Sequence, residues 1–493
     1  MFEEAESDPT LTAAEADRHE ARLRTALLKA QYARLQDPKR SLLIVAAGID
    51  GAGKGATINL LNEWMDPRHI RTLAFGLPTV TEAARPDLWR YWNALPANGR
   101  TGIVFGSWYM PLVMEGAQKH PNAEKMAELA EEVLRFEATL AANGVQILKL
   151  WFHLSKDAQH QRVDRLLKDP DTAWQVTTQD RKVRKHYDQI RAAGMDIINQ
   201  THTRHAPWAI IPSADERMRT VRTGEAVLSA ISRASAPRVD RPLRIVSRRA
   251  KPSDRLAGLD YAAHIEKDEY DTELRQWQAR LARAVRHKRF KDLSLVLAFE
   301  GQDAAGKGGA IRRVTHALDA RRYVITPVSA PTAEELSYPY LWRFWRKVPA
   351  LGDIAIFDRS WYGRVLAERV EGYAAPADWK RAYDEINDFE RQLTDQGVVL
   401  LKFWLAVTKD EQLRRFRDRE QSPFKQFKIT PDDWRNRRKW NAYADAANEM
   451  FARTDTPNAP WHVLSANDKR HARVNVLAQT VLALEAALKK KKD

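Results

Sequence analysis

Cysteine is absent from all 493 residues, which excludes disulfide staples, thiolate metal sites and a cysteine nucleophile. Also missing is any uninterrupted apolar run of bilayer length. Hydrophobic residues make up 44% and charged residues 29%, an ordinary globular balance. The opening MFEEAESDPTLTAAEADRHE lacks the basic start and apolar core of a secretory signal, so a soluble, cytoplasmic protein without membrane partners is expected. Negative charge is in deficit. A net charge of +15 suits a polyanion such as nucleic acid, an anionic membrane surface or a phosphate polymer, without choosing among them. The terminal lysine run KKKKD reads as a solvated end. One further absence is local: in EGQDAAGKGG, Glu300 to Gly309, Lys307 is followed by Gly308. The phosphate-loop pattern has there a Ser or Thr whose hydroxyl holds Mg²⁺.

What is present is a repeat. GIDGAGKGA, Gly48 to Ala56, is a relative of GQDAAGKGG, Gly301 to Gly309, at an offset of 253 residues. The same offset, without a gap, pairs Leu88-Trp89-Arg90 with Leu341-Trp342-Arg343, Ser107-Trp108-Tyr109 with Ser360-Trp361-Tyr362, Lys149 with Lys402, and Pro207-Trp208 with Pro460-Trp461. One ancestral domain is duplicated. The expected division is an N-terminal domain over 1–231, an Arg-, Ser- and Pro-rich linker over 232–255, and a C-terminal domain over 256–493.

Helical periodicity predicts helices over 11–35 and 270–290, and β-rich runs begin at Ser41 and Leu293. IAIFD, Ile354 to Asp358, and VVLLKFWLAV, Val398 to Val407, read as further strands. Apolar runs alternating with amphipathic helices indicate an α/β fold with a parallel sheet covered on both faces. Ligands of such sheets sit beyond the strands' C-terminal ends, where the loop at Gly301 and Asp358 both fall.

Gly301, Gly306, Gly308 and Gly309 let backbone N–H groups approach phosphate oxygens, and Lys307 supplies a mobile point charge. Asp303 within the loop and Asp358 at the end of a neighbouring strand replace the missing hydroxyl as candidate metal carboxylates. Arg359 follows at once and Arg364 a turn later, and both suit charge developing on a transferring phosphoryl group. The stretch RRFRDREQSPFKQFKITPDDWRNRRKW, Arg414 to Trp440, is dense in Lys and Arg and falls where nucleotide kinases carry a closing lid.

On FEGQDAAGKGGAIRRV, FDRSWYGRVLAERV, LLKFWLAVTKDEQLRRFRDR and APWHVLSANDKRHAR, in that order, the chain resembles the polyphosphate kinase 2 family of P-loop phosphotransferases. The resemblance implies two tandem thymidylate-kinase-like P-loop domains, each with a helical lid. It also implies Mg²⁺, with Mn²⁺ as a substitute, and transfer between inorganic polyphosphate and a nucleotide. The tandem form implies AMP to ADP. A homodimer is a further implication, and no nucleic-acid partner is expected. Asp303, Lys307, Asp358, Arg359 and Arg364 match the family's loop and second-strand positions, and Arg419 a lid arginine; Gly363 departs from the usual asparagine.

The N-terminal half keeps Asp50 and Lys54 but has Phe105 and Gly106 where Asp358 and Arg359 stand, and Pro111 in place of Arg364. It is expected to be catalytically degenerate. Rival readings are a polyphosphate-dependent kinase of nucleoside diphosphates, an ATP-dependent P-loop kinase, and a non-catalytic polyanion binder in which aromatics such as Trp434 and Trp440 stack on bases.

Overall fold

The structure is a computed structural model that describes residues 1–176, 185–233, 239 and 253–489. Most of the expected linker and the last four residues lie outside the described residues. Packing divides the chain into two compact units. One comprises Met1–Pro78, Arg90–Leu243 and Pro331–Trp342; the other comprises Thr79–Trp89, Arg244–Ala330 and Arg343–Asp493.

In the first unit β1 (Ser41–Gly48), β2 (Ile70–Ala74), β3 (Thr101–Phe105), β4 (Val145–His153) and β5 (Trp208–Pro212) form one sheet of order β2-β3-β1-β4-β5, all pairs parallel. The second unit repeats it. There β6 (Ser294–Gly301), β7 (Tyr323–Pro327), β8 (Ile354–Asp358), β9 (Val398–Ala406) and β10 (Trp461–Ser465) run in the order β10-β9-β6-β8-β7, again all parallel. The central strands β1 and β6 are almost wholly buried, as expected of strands covered on both faces. Leu295, Leu297, Phe299, Leu401, Phe403 and Leu405 form the heart of the second core with the helix Lys469–Lys489.

The first predicted helix is observed as Ala13–Gln36, started by a Thr12–Glu15 capping box. The second differs from expectation. It runs Lys267–Ala284, and a separate 3₁₀ turn follows at Lys288–Asp292. The break falls in Arg286-His287-Lys288-Arg289, where side-chain cations crowd together, and the His287 ring accepts from the Arg289 N–H, competing with helix continuation.

Beneath each sheet lies the same buried polar cluster. Lys149 Nζ donates to Glu137 Oε2, Tyr109 Oη and the Thr201 carbonyl, each at 2.8 Å. Lys402 does the same to Glu390 (2.7 Å), Tyr362 (2.9 Å) and the Thr454 carbonyl (2.6 Å). Trp108 and Trp361 each donate to the same glutamate as the neighbouring tyrosine. Both lysines are 0% exposed, and burial pushes their ammonium groups below the usual range while the paired glutamate opposes that shift. The Ser-Trp-Tyr motif is therefore a structural anchor, which is why both halves carry it. Replacing Lys402 by Met strands a buried carboxylate, and should destabilise the second unit by about 3 to 5 kcal/mol. Lys149→Met should do so equally in the first. Urea unfolding of the two variants checks this, and an unchanged midpoint in either would contradict the assignment.

Candidate active site

The site begins where β6 ends. Gly301 adopts φ 134°, and a Cβ there would lie 2.2 Å from the Leu405 carbonyl oxygen of the neighbouring strand, so only glycine lets the chain turn this close to β9. Ala304 (φ 62°) and Gly306 (φ 108°) continue the turn into the helix Lys307–Thr315. Left-handed residues at a loop leading into a helix N-terminus present backbone N–H groups to an anion. Cβ positions at Gly306 and Gly308 would meet open space, and one at Gly309 would face the Arg473 guanidinium at 3.2 Å.

Lys307 folds back so that its ammonium donates to the carbonyls of Gly301 (2.8 Å) and Gln302 (3.3 Å). Burial, with Arg359 adding like-charge repulsion, pushes its pKa below the ordinary value; Asp303, Asp358 and Glu300 oppose that. Behind the loop stands Arg415, 3% exposed, which donates to the carbonyls of Ala304, Ala305, Ala466 and Asn467 and pairs with Glu411. It ties the loop to the segment after β10. Its buried role was hidden among the arginines of RRFRDRE; the one signal in the sequence is Glu411, four residues earlier on the same helix face.

Asp303 is the meeting point. Arg359 Nη2 lies 2.8 Å from its Oδ1, and Asn436 Nδ2 donates to its Oδ2 at 2.8 Å. Asn436 comes from the lid helix Pro431–Arg438, and Tyr443 in turn bonds its amide oxygen. The lid is further held by Glu371, which meets Arg435 (3.2 Å), Lys439 (2.9 Å) and Tyr443 (3.3 Å). The sequence reading passed over Asn436, the uncharged residue in WRNRRKW. Trp434 packs edge-on against Phe416, with ring centroids 5.1 Å apart, and so belongs to the lid's own core.

Asp358 ends β8 in register with Phe299 of β6. Arg359 follows with φ 63°, and its neighbour Ser360 bonds Glu300 at the end of β6. Of the other two expected cations, Arg364 pairs with Glu368 at 2.7 Å, and Arg419 donates to the Lys428 carbonyl within the lid.

The N-terminal loop is arranged differently. Lys54 donates to Asp50 at 2.8 Å as well as to the Gly48 and Ile49 carbonyls, and glycine stands at position 106 where the other half has Arg359. The Arg219 side chain, 1% exposed and bonded to Thr57, lies where a Cβ at Gly53 would be, 2.6 Å away. At Gly106 (φ 61°) an added Cβ would meet the Phe75 carbonyl oxygen at 1.9 Å. Phe105 ends β3 without a carboxylate.

The family model for polyphosphate kinase 2 matches residues 10–238 and again 264–492. The chain belongs to the polyphosphate kinase 2 family. It is 47% identical over 496 residues to a polyphosphate:AMP phosphotransferase of Pseudomonas aeruginosa, covering all of both chains. It is 40% identical over 485 residues to one of Acinetobacter johnsonii, covering 97% of this chain and 98% of that protein. A solved structure from Pseudomonas aeruginosa described as a polyphosphate kinase 2 superposes with TM-score 0.89 at 45% identity, covering both chains completely. The two family matches coincide with the two sheets, so the tandem P-loop α/β architecture is that of the family.

The N-terminal geometry makes a specific prediction. Restoring the acidic and basic residues through Phe105→Asp and Gly106→Arg should not create a second working site, because the new side chain at 106 collides with backbone. The double variant should melt at lower temperature than the unchanged chain and gain no turnover, checked by calorimetry and by assay in an Asp358→Asn background.

Proposed function

We propose that the chain transfers the terminal phosphoryl group of inorganic polyphosphate to AMP, giving ADP, and that the reacting groups are those of the C-terminal domain. The observation that carries this reading is the assembly of Lys307, Asp303 and Arg359 around one phosphate loop, with Asp358 ending the adjacent strand, in one half only. The full-length relatives that bear the name polyphosphate:AMP phosphotransferase support the choice of donor and acceptor. A nucleotide acceptor also goes with a cytoplasmic location. Among the described residues no helix is long and apolar enough to cross a membrane.

Asp303 and Asp358 suit Mg²⁺, which takes one or two carboxylates and fills its remaining positions with water and phosphate oxygens. Among the described residues no cluster of three or more His, Asp or Glu forms a complete protein cage, so donor phosphates would complete the coordination. When bound, the ion neutralises phosphate oxygens and orients the group being transferred.

The chain's own residues supply the rest. Loop N–H groups and Lys307 hold the donor's terminal phosphates. Arg359, released from Asp303 as substrate enters, neutralises the equatorial oxygens of the phosphoryl group in flight. An oxygen of the AMP phosphate forms the new P–O bond while the bridging P–O bond breaks, and the shortened polyphosphate leaves with the negative charge. The acceptor oxygen is already anionic near neutral pH, so no general base is required. Lid residues around Asn436 shut out water, which would otherwise compete as acceptor. The N-terminal domain acts as a non-catalytic structural partner, with the linker between the two over 232–255.

The test supplies AMP and Mg²⁺ with either long-chain polyphosphate or phosphorus-labelled ATP, and follows ADP by phosphorus NMR. Polyphosphate should support ADP formation. Asp358→Asn should reduce it on the order of 10³-fold, as for loss of one well-placed charge-stabilising group, while Asp50→Asn should leave most activity. Equal losses would remove the assignment to the C-terminal half, and transfer from ATP alone would overturn the donor.

A further inference from the structure

Glu300 stands three residues before Asp303, and the scheme above gives it no part. It is 5% exposed, at the end of β6, and its Oε1 accepts from both the backbone N–H and the hydroxyl of Ser360, each at 2.8 Å. Burial pushes its carboxyl upward, against the pull of the Ser360 bonds and of Lys307 and Arg359.

The residue before Ser360 is Arg359, at φ 63°. This left-handed conformation is unfavourable for a residue with a Cβ and persists only where neighbours enforce it. Two restraints flank it: its own N–H donates to the Phe299 carbonyl at 3.0 Å, and the next residue is gripped twice by Glu300. Ser360 Oγ also accepts from the Tyr362 N–H at 3.4 Å, and Tyr362 donates to Glu390 at 2.6 Å. Glu300 thus joins the end of the loop strand to the buried Lys402 cluster.

The N-terminal half supplies an internal comparison. At the same offset Ser360 is retained as Ser107, Arg359 is Gly106 and Glu300 is Ala47. Gly106 takes φ 61° with no Cβ to oppose it. Where the strained residue is glycine, the carboxylate that would restrain it is absent.

We propose that Glu300 is a positioning residue that clamps Ser360 and so holds Arg359 in the left-handed conformation from which its guanidinium reaches Asp303. This rests on the functional reading above only for its kinetic consequence; the geometric claim stands apart from it. Glu300→Ala should lower kcat with polyphosphate and AMP about 100-fold, the cost of a catalytic group displaced by about 1 Å. Glu300→Gln, which keeps the Oε1 acceptor, should stay within about tenfold of the unchanged chain. Ser360→Ala, which removes one of the two donors, should fall between them. Crystals of Glu300→Ala should show Arg359 at negative φ and out of reach of Asp303. The proposal is overturned if Glu300→Ala keeps full kcat, if Arg359 stays left-handed in it, or if Glu300→Gln is as impaired as Glu300→Ala. Should Glu300→Ala not fold, the same kinetic order and the Arg359 geometry in Glu300→Gln and Ser360→Ala decide the matter. If the unchanged chain forms no ADP from polyphosphate and AMP, the functional reading fails and the crystallographic comparison alone decides this one.

Discussion

A lysine ammonium with no exposed surface, bound to a glutamate, a tyrosine hydroxyl and a backbone carbonyl, underlies each of the two sheets. Removing either charge would leave the other buried and unpaired, so the cluster forms as a unit. Its tyrosine and tryptophan belong to the turn that leaves β3 or β8. Each sheet therefore fixes the exit of that strand in space before any phosphate-handling residue is considered.

Among the differences between the halves is the pair of residues on that fixed exit. Asp358 and Arg359 place a carboxylate and a guanidinium beside the loop, while Phe105 and Gly106 place neither. The loops differ as well. Asp303 bonds Arg359 and Asn436 while Lys307 bonds two carbonyls; in the other half Asp50 bonds Lys54. In the half without that arginine the loop lysine sits in an internal ion pair, and the Arg219 side chain packs against Gly53.

Much of this was legible beforehand because duplication prints the scaffold twice. Some positions shared at the constant offset, such as Lys149 with Lys402, turned out to be buried structure, others such as Lys54 with Lys307 belong to the loop, and the break at Asp358 against Phe105 is where the two loops' surroundings diverge. The glycine spacing and the strand ending in Asp358 gave the loop and its neighbour directly. Asn436 and Arg415 were not legible as site residues. Each meets the loop across more than a hundred residues of chain, through lid helices whose position no local pattern encodes. The packing of Thr79–Trp89 with the second unit, and of Pro331–Trp342 with the first, was equally hidden, since both segments carry ordinary capping boxes and nothing in them names a partner.

The central claim is that one of two homologous loops handles phosphate. Hydrogen exchange of the full chain with and without Mg²⁺ and tripolyphosphate tests it most directly. The account predicts slowed exchange over residues 301–309 and the lid at 426–438, with residues 48–56 unchanged. Equal protection of both loops, or protection of 48–56 alone, would contradict it.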